Sequence, residues 1–267
     1  MKLLHAHFAL PLFVPLAALM LPGCGGDETT DADPTPLPAA TRCDTPTVPA
    51  CMDQTIDLLG LKATTAAGLI ENTAVDAGGF ATEVDATAGG LTPTQAFVYG
   101  IFTDTGLTKR DLDDESAFTD MNWDIAFRRY VIRINGGDSG PSCVNVAILP
   151  QSASFDTVTT VSADLTPYVD EFMTASCALT NDGSGLENSP AVAMGGFWHR
   201  VDNSYGGCLQ MTDRVFVLTL RNNRHVKLAV THYYNIEPQT LCDTTPETFN
   251  AMGQGSGHIG VRWAFLD

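Results

Sequence analysis

The residues of this 267-residue chain that could do chemistry are its six histidines, seven cysteines and eight methionines, with one serine framed by Gly137-Asp138-Ser139-Gly140-Pro141. A serine nucleophile needs a histidine base, itself held by an acid. No histidine lies between His7 and His199, so the glycines around Ser139 read as a turn after a strand. Paired carboxylates are no better placed, because no pair among the 31 acids stands in an aromatic-framed strand end. His225 follows a turn and reads as exposed. His232 alternates with Val226, Leu228 and Val230 and reads as a core histidine, and His258 reads as structural. His199 differs, since Gly195-Gly196-Phe197-Trp198-His199 sets it beside aromatics at a glycine-rich strand start, with Met173, Met194 and Met211 in the same irregular region. Imidazole and thioether are axial donors to haem iron, and a haem needs apolar or aromatic walls. The pattern therefore nominates His199 as an axial donor, with Met173 or Met211 opposite. Ligation takes a neutral imidazole, so binding through His199 should weaken below about pH 6.

The cysteines speak about compartment. Cys-x-x-Cys, Cys-x-x-His and His-x-x-x-His spacings are missing, so no metal site beyond a haem iron is expected. Residues 1–23 have a lysine followed by an apolar run without acids, which is a secretory signal. The run ends in Leu21-Pro22-Gly23-Cys24, a pattern that reads as a lipoprotein cleavage site with Cys24 lipidated. Residues 24–50 are acidic, carry Pro34, Pro36, Pro38 and Pro46, and hold almost no large apolar side chain, so they read as a tether. Gly25 after the lipidated cysteine points to the outer membrane of a Gram-negative bacterium, on either its periplasmic or its outer face. The remaining Cys43, Cys51, Cys143, Cys177, Cys208 and Cys242 are even in number in an exported chain, which allows three disulfides in fifteen pairings. A local Cys43–Cys51 bridge is expected, with the other four tying long loops.

The elements that must position these residues read as mainly β. Lys and Arg total 14 against 31 Asp and Glu, a formal charge of −17, and charged residues are only 17% of the chain. That balance excludes a phosphate-binding nucleic-acid partner and a basic lipid-binding face. Residues 51–77 form an ambiguous N-terminal extension, and residues 78–267 form one β domain. Strands are expected at 80–85, 96–103, 144–149, 157–161, 214–221, 224–233 and 258–266, joined mostly by hairpins into an antiparallel sheet. Along residues 123–135, Trp123, Ile125 and Phe127 share one face and Tyr130, Ile132 and Ile134 the other phase, which implies a bulge or twist near Arg128-Arg129. Asn222-Asn223 suits a two-residue type I′ turn.

The block Trp123-Asp124-Ile125-Ala126-Phe127-Arg128-Arg129-Tyr130, followed by Arg133, Asn135 and Gly137, resembles the HmuY family of exported lipoproteins, with its W-D-x-A-x-x-R-Y…R-x-N-x-G pattern. The resemblance continues at residues 155–160, at Gly195-Gly196 with Trp198, at residues 213–217 and at 226–233. It implies an almost all-β domain with little helix, a cleft between finger-like hairpins, and haem capture with transfer to an outer-membrane receptor. Family members use two axial ligands, His or Met, from two loops in the part equivalent to residues 165–212. This chain departs from that pattern. No His or Met stands at the usual offset after Trp198, and the loop between Thr160 and Trp198 is short. Two readings follow: a non-catalytic haem or tetrapyrrole binder, or a protein that kept the fold, lost haem and uses its loops for a protein or glycan partner.

Overall fold

The computed structural model describes residues 43–75, 78–90, 92–186, 189–204 and 206–266. The signal segment, Cys24 and most of the tether lie outside the described residues. No helix among the described residues is long and apolar enough to cross a membrane.

The chain runs through α1 (Met52–Leu58), β1 (Ile70–Val75), β2 (Gly79–Asp85), β3 (Val98–Thr103), β4 (Gly106–Arg110) and α2 (Asp114–Ala117). It continues with β5 (Ile125–Arg128), β6 (Val131–Ile134), β7 (Asn145–Ile148), β8 (Pro167–Tyr168), β9 (Trp198–Val201) and β10 (Cys208–Met211). β11 (Val215–Thr219), β12 (His225–His232), α3 (Ile236–Thr244) and β13 (His258–Leu266) complete it. Seven strands form a sheet in the order β1-β2-β13-β12-β11-β7-β8, four form a second in the order β4-β3-β5-β6, and β9 and β10 form a separate ribbon. Every pairing of named strands is antiparallel. The chain is thus mainly β, as its composition and patterning led one to expect.

Strand alternation explains how the layers stack. Val226, Leu228 and Val230 of β12 face Phe127, Ile132 and Ile134 of the four-stranded sheet across one core, with Trp263 at its centre. The other face of the four-stranded sheet, through Tyr99 and Ala126, buries Phe97, Phe118 and Trp123 under α1 and α2. The outer face of the large sheet is covered by residues 150–165, where Phe155, Val158 and Val161 pack on Val215 and Val217. The strand expected at residues 157–161 is not formed. Its apolar residues instead hold a loop on the sheet, pinned by Lys227 Nζ donating to the carbonyls of Phe155 and Val158 at 2.9 and 2.7 Å.

Three local expectations change. The phase switch near Arg128-Arg129 is real, but its cause is a hairpin: Arg128 pairs Val131, Ile125 pairs Ile134, and Arg129 takes a positive φ of 52°. Trp123 precedes β5 and turns into the second core, away from Ile125 and Phe127. The Asn222-Asn223 turn is a three-residue loop, with Asn223 at φ 64° and its amide donating to Leu220 while Leu220 donates to Arg224. A type I turn with one left-handed residue supplies this connection; a type I′ turn would need two. The segment 70–75 is the edge of the large sheet, and Asn72 caps it: its side chain donates to the Leu107 carbonyl at 3.0 Å and accepts the Leu107 amide at 2.9 Å.

Candidate functional site

The site is built outward from the β5–β6 hairpin. Arg133 is fully buried, its guanidinium 4.8 Å from the Phe97 ring centroid, and its Nε donates to Ser139 Oγ at 2.9 Å. Ser139 in turn donates to the Asp170 carboxylate, which also accepts the amides of Ile134 at 3.1 Å and Ala193 at 2.8 Å. Burial pushes the Asp170 carboxyl up to about 6, against the lowering by Ser139, the two amides and Arg133. Ser139 is therefore a buried node of a polar network. Gly137, at φ 61°, brings its backbone so close to Asp170 that a Cβ there would lie 2.1 Å from the Asp170 carbonyl. The glycine-framed turn thus docks the chain at residue 170, where the first loop of the site begins.

That loop runs out and back as a finger. The Met173 amide donates to Asp138 Oδ2 at 2.7 Å, Thr180 donates to Phe172 at 2.7 Å, and Ser189 Oγ donates to Asp182 at 2.6 Å. Its tip is tied by a Cys51–Cys177 disulfide to the residue preceding α1. The expected local Cys43–Cys51 bridge is thus not formed, because Cys51 faces the finger across 126 residues of sequence. The second half of the site is the β9–β10 ribbon, anchored by a Cys208–Cys242 disulfide to α3. Gly196, at φ 76°, turns the chain so that Phe197 enters the main core and Trp198 starts β9. The Trp198 indole donates to the Tyr130 carbonyl at 3.2 Å, and the two rings meet edge to face at 6.1 Å.

Between the hairpin tip, the finger and β9 lies a cavity of about 370 Å³, lined among others by Tyr130, Val192, Trp198, His199, Arg200 and Asp182. Pockets of roughly 300–1,000 Å³ take small organic ligands. His199 is exposed at its rim. Met173 and Met211 do not line it. Met211 pairs with Trp198 and His199 with Gln210, so the thioether and the Trp198 ring share one face of the ribbon and the imidazole lies on the other. Met173 packs against the core beneath α1. Of the three candidate donors only His199 reaches the cavity, at its rim and from the ribbon face opposite Trp198, and no second candidate stands across from it.

Tyr130, the last residue of the aromatic block, and Trp198, after Gly195-Gly196, both line the cavity. In the sequence Tyr130 is signalled by its place in the block and at the phase switch, and neither marks it as a cavity wall. Sequence reasoning passed over Asp170, which carries no motif. His232 is 7% exposed and bonded to Glu83 at 2.7 Å, a satisfied core histidine.

The family model described as HmuY protein matches residues 91–245. No curated protein matches the chain. Among solved structures, the chain is similar to one described as a lipoprotein of Bacteroides fragilis, at 14% identity, covering 72% of this chain and 91% of that one, with a TM-score of 0.40. It is similar to an HmuY-like haem-binding protein of Bacteroides vulgatus at 12% identity, covering 73% and 95%, TM-score 0.42. An apo HmuY analogue of Tannerella forsythia matches at 16% identity, covering 76% and 98%, TM-score 0.39.

Proposed function

The chain belongs to the HmuY family, and from that premise we propose that it is an exported, non-catalytic lipoprotein, anchored through Cys24, that binds haem or a related tetrapyrrole beside Tyr130 and Trp198. The observation that carries this reading is the cavity of about 370 Å³ with two aromatic walls and His199 at its rim. Haem supplies an iron with open axial positions and a flat apolar face. In this chain His199 at the rim would donate to the iron, Tyr130 would flank the ring, and Arg200, held by Asp202 at 2.7 Å, offers a cation near the rim. With one donor at the cavity, the bound iron should be high-spin. The outer membrane and a receptor there are the anchor's destination and the carrier's partner in this reading.

The test is a haem titration of residues 25–267, read at the Soret and visible bands. A saturable shift at one haem per chain, with high-spin bands, is expected. His199→Ala should weaken binding at least tenfold while leaving the far-ultraviolet circular dichroism unchanged. Low-spin bands lost on Met211→Ala or Met173→Ala would restore a two-donor site. A flat titration to micromolar haem would favour the second reading, a fold kept for a protein or glycan partner, for which the placement of Met173 and Met211 outside the cavity already speaks.

A further inference from the structure

The two disulfides leave Cys43 and Cys143 as the free cysteines among the described residues. They are not far apart. The two side chains lie beside each other, and the backbones are joined close by, where the Thr47 amide donates to the Pro141 carbonyl at 2.7 Å. Cys143 is itself fixed, since it pairs with Gly136 in an antiparallel bridge just after β6. Cys143 is exposed and Cys43 partly so.

We propose that Cys43 and Cys143 form a third disulfide in the exported protein. The inference rests on the export reading, because the bond needs an oxidising compartment. Two thiols lose two protons and two electrons as the S–S bond forms. The electrons pass to the disulfide of a thiol–disulfide oxidoreductase, which is cleaved to two thiols through a mixed disulfide. The bond closes a loop holding α1, α2 and β1 to β6. It also fastens the chain where the tether meets the fold. A pull on the N-terminal segment then enters the protein beside Gly136 and bypasses α1 and the edge strand β1.

The full chain, isolated from the membranes of producing cells, tests this. Free thiols are alkylated under denaturing conditions, and the protein is cleaved before aspartates without reduction. Cleavage before Asp44 parts Cys43 from Cys51, so every pairing gives a distinct linked mass. The expected result is a linked Cys43–Cys143 pair, with neither residue alkylated. In Cys43→Ser, Cys143 should become alkylated, one new thiol per chain. Cys51–Cys177 and Cys208–Cys242 intact with Cys43 and Cys143 both alkylated would overturn the third bond while leaving export standing, as would Cys43 linked to any other cysteine. All six alkylated would overturn export, and the bond with it.

Discussion

The β5–β6 hairpin and the loops around the cavity are held by different means. In the hairpin and its following turn, side chains do the fastening. Arg133 reaches Ser139, Asn135 donates to the carbonyls of Trp123 and Asp120, Asp124 accepts the Phe102 amide, and the Trp123 indole donates to Ala117. Each partner lies within a few tens of residues, and most of these groups are buried. In the cavity loops a few side-chain bonds, such as Ser189 to Asp182, are joined by backbone bonds, left-handed residues such as Gly196 and Cys177, and two disulfides that reach distant segments. Buried polar networks tolerate little change, because an unpaired member costs its full desolvation. Loops held by cross-links can change their side chains freely. The first region therefore preserves a recognisable residue block, and the second can lose a ligand without losing the fold.

The largest expected effect comes at the joint between the two. Asp170 belongs to the loop but is the acceptor for Ser139 and the amides of Ile134 and Ala193. Asp170→Ala leaves these donors buried and removes the anion near Arg133. It should lower stability by about 3–5 kcal/mol, read by urea unfolding at pH 7. A loss below about 1 kcal/mol would mean the hairpin network does not need the loop, and the contrast between the regions would then be absolute.

A somewhat smaller effect sharpens the contrast. Cys208→Ala with Cys242→Ala opens a loop with a sequence separation of 34 residues and should cost about 2–4 kcal/mol. Hydrogen exchange should quicken in residues 198–211 and stay unchanged in residues 125–134, because the hairpin's partners do not include this bridge. Equal quickening in both segments would show one cooperative unit where two are described.

This contrast also governs what the sequence made legible. The antiparallel strands follow from alternation in residues such as Val226, Leu228 and Val230, and the β5–β6 block was recognisable because its polar residues are architectural. Legibility failed where long-range partners decide the outcome. Cys51 meets Cys177 only once the finger is docked by Gly137 and Asp170. Residues 157–161 have strand-like composition, yet Lys227 and Arg262, each against the Phe155 ring at 4.4 and 4.3 Å, hold them as a loop. At the site, His199 stood out by its glycine and aromatic setting. Which methionine could face it depends on ribbon register, and register is not written in residue type.

The smallest effect tests whether the hairpin region's carboxylates behave as buried groups. Burial pushes the Asp124 carboxyl from 3.8 up to about 6, opposed by the Phe102 amide and Arg221. The folded protein thus holds this proton more tightly than the unfolded chain. Its contribution to stability is fully present below about pH 4 and is lost as pH rises through about 6. Asp170, raised in the same direction, adds to the trend. The chain's charge of −17 adds a further decline of the same sign as surface acids ionise and repel. Asp124→Asn separates these contributions, because the amide oxygen still accepts the Phe102 N–H while the titration is gone. The variant should match the wild type near pH 4 and exceed it by about 1–3 kcal/mol at pH 7. The background repulsion is nearly common to both proteins, so the divergence between the two unfolding curves belongs to Asp124. Curves that stay parallel from pH 4 to 7 would mean that Asp124 is solvated, and that the hairpin network is looser than the loops it supports.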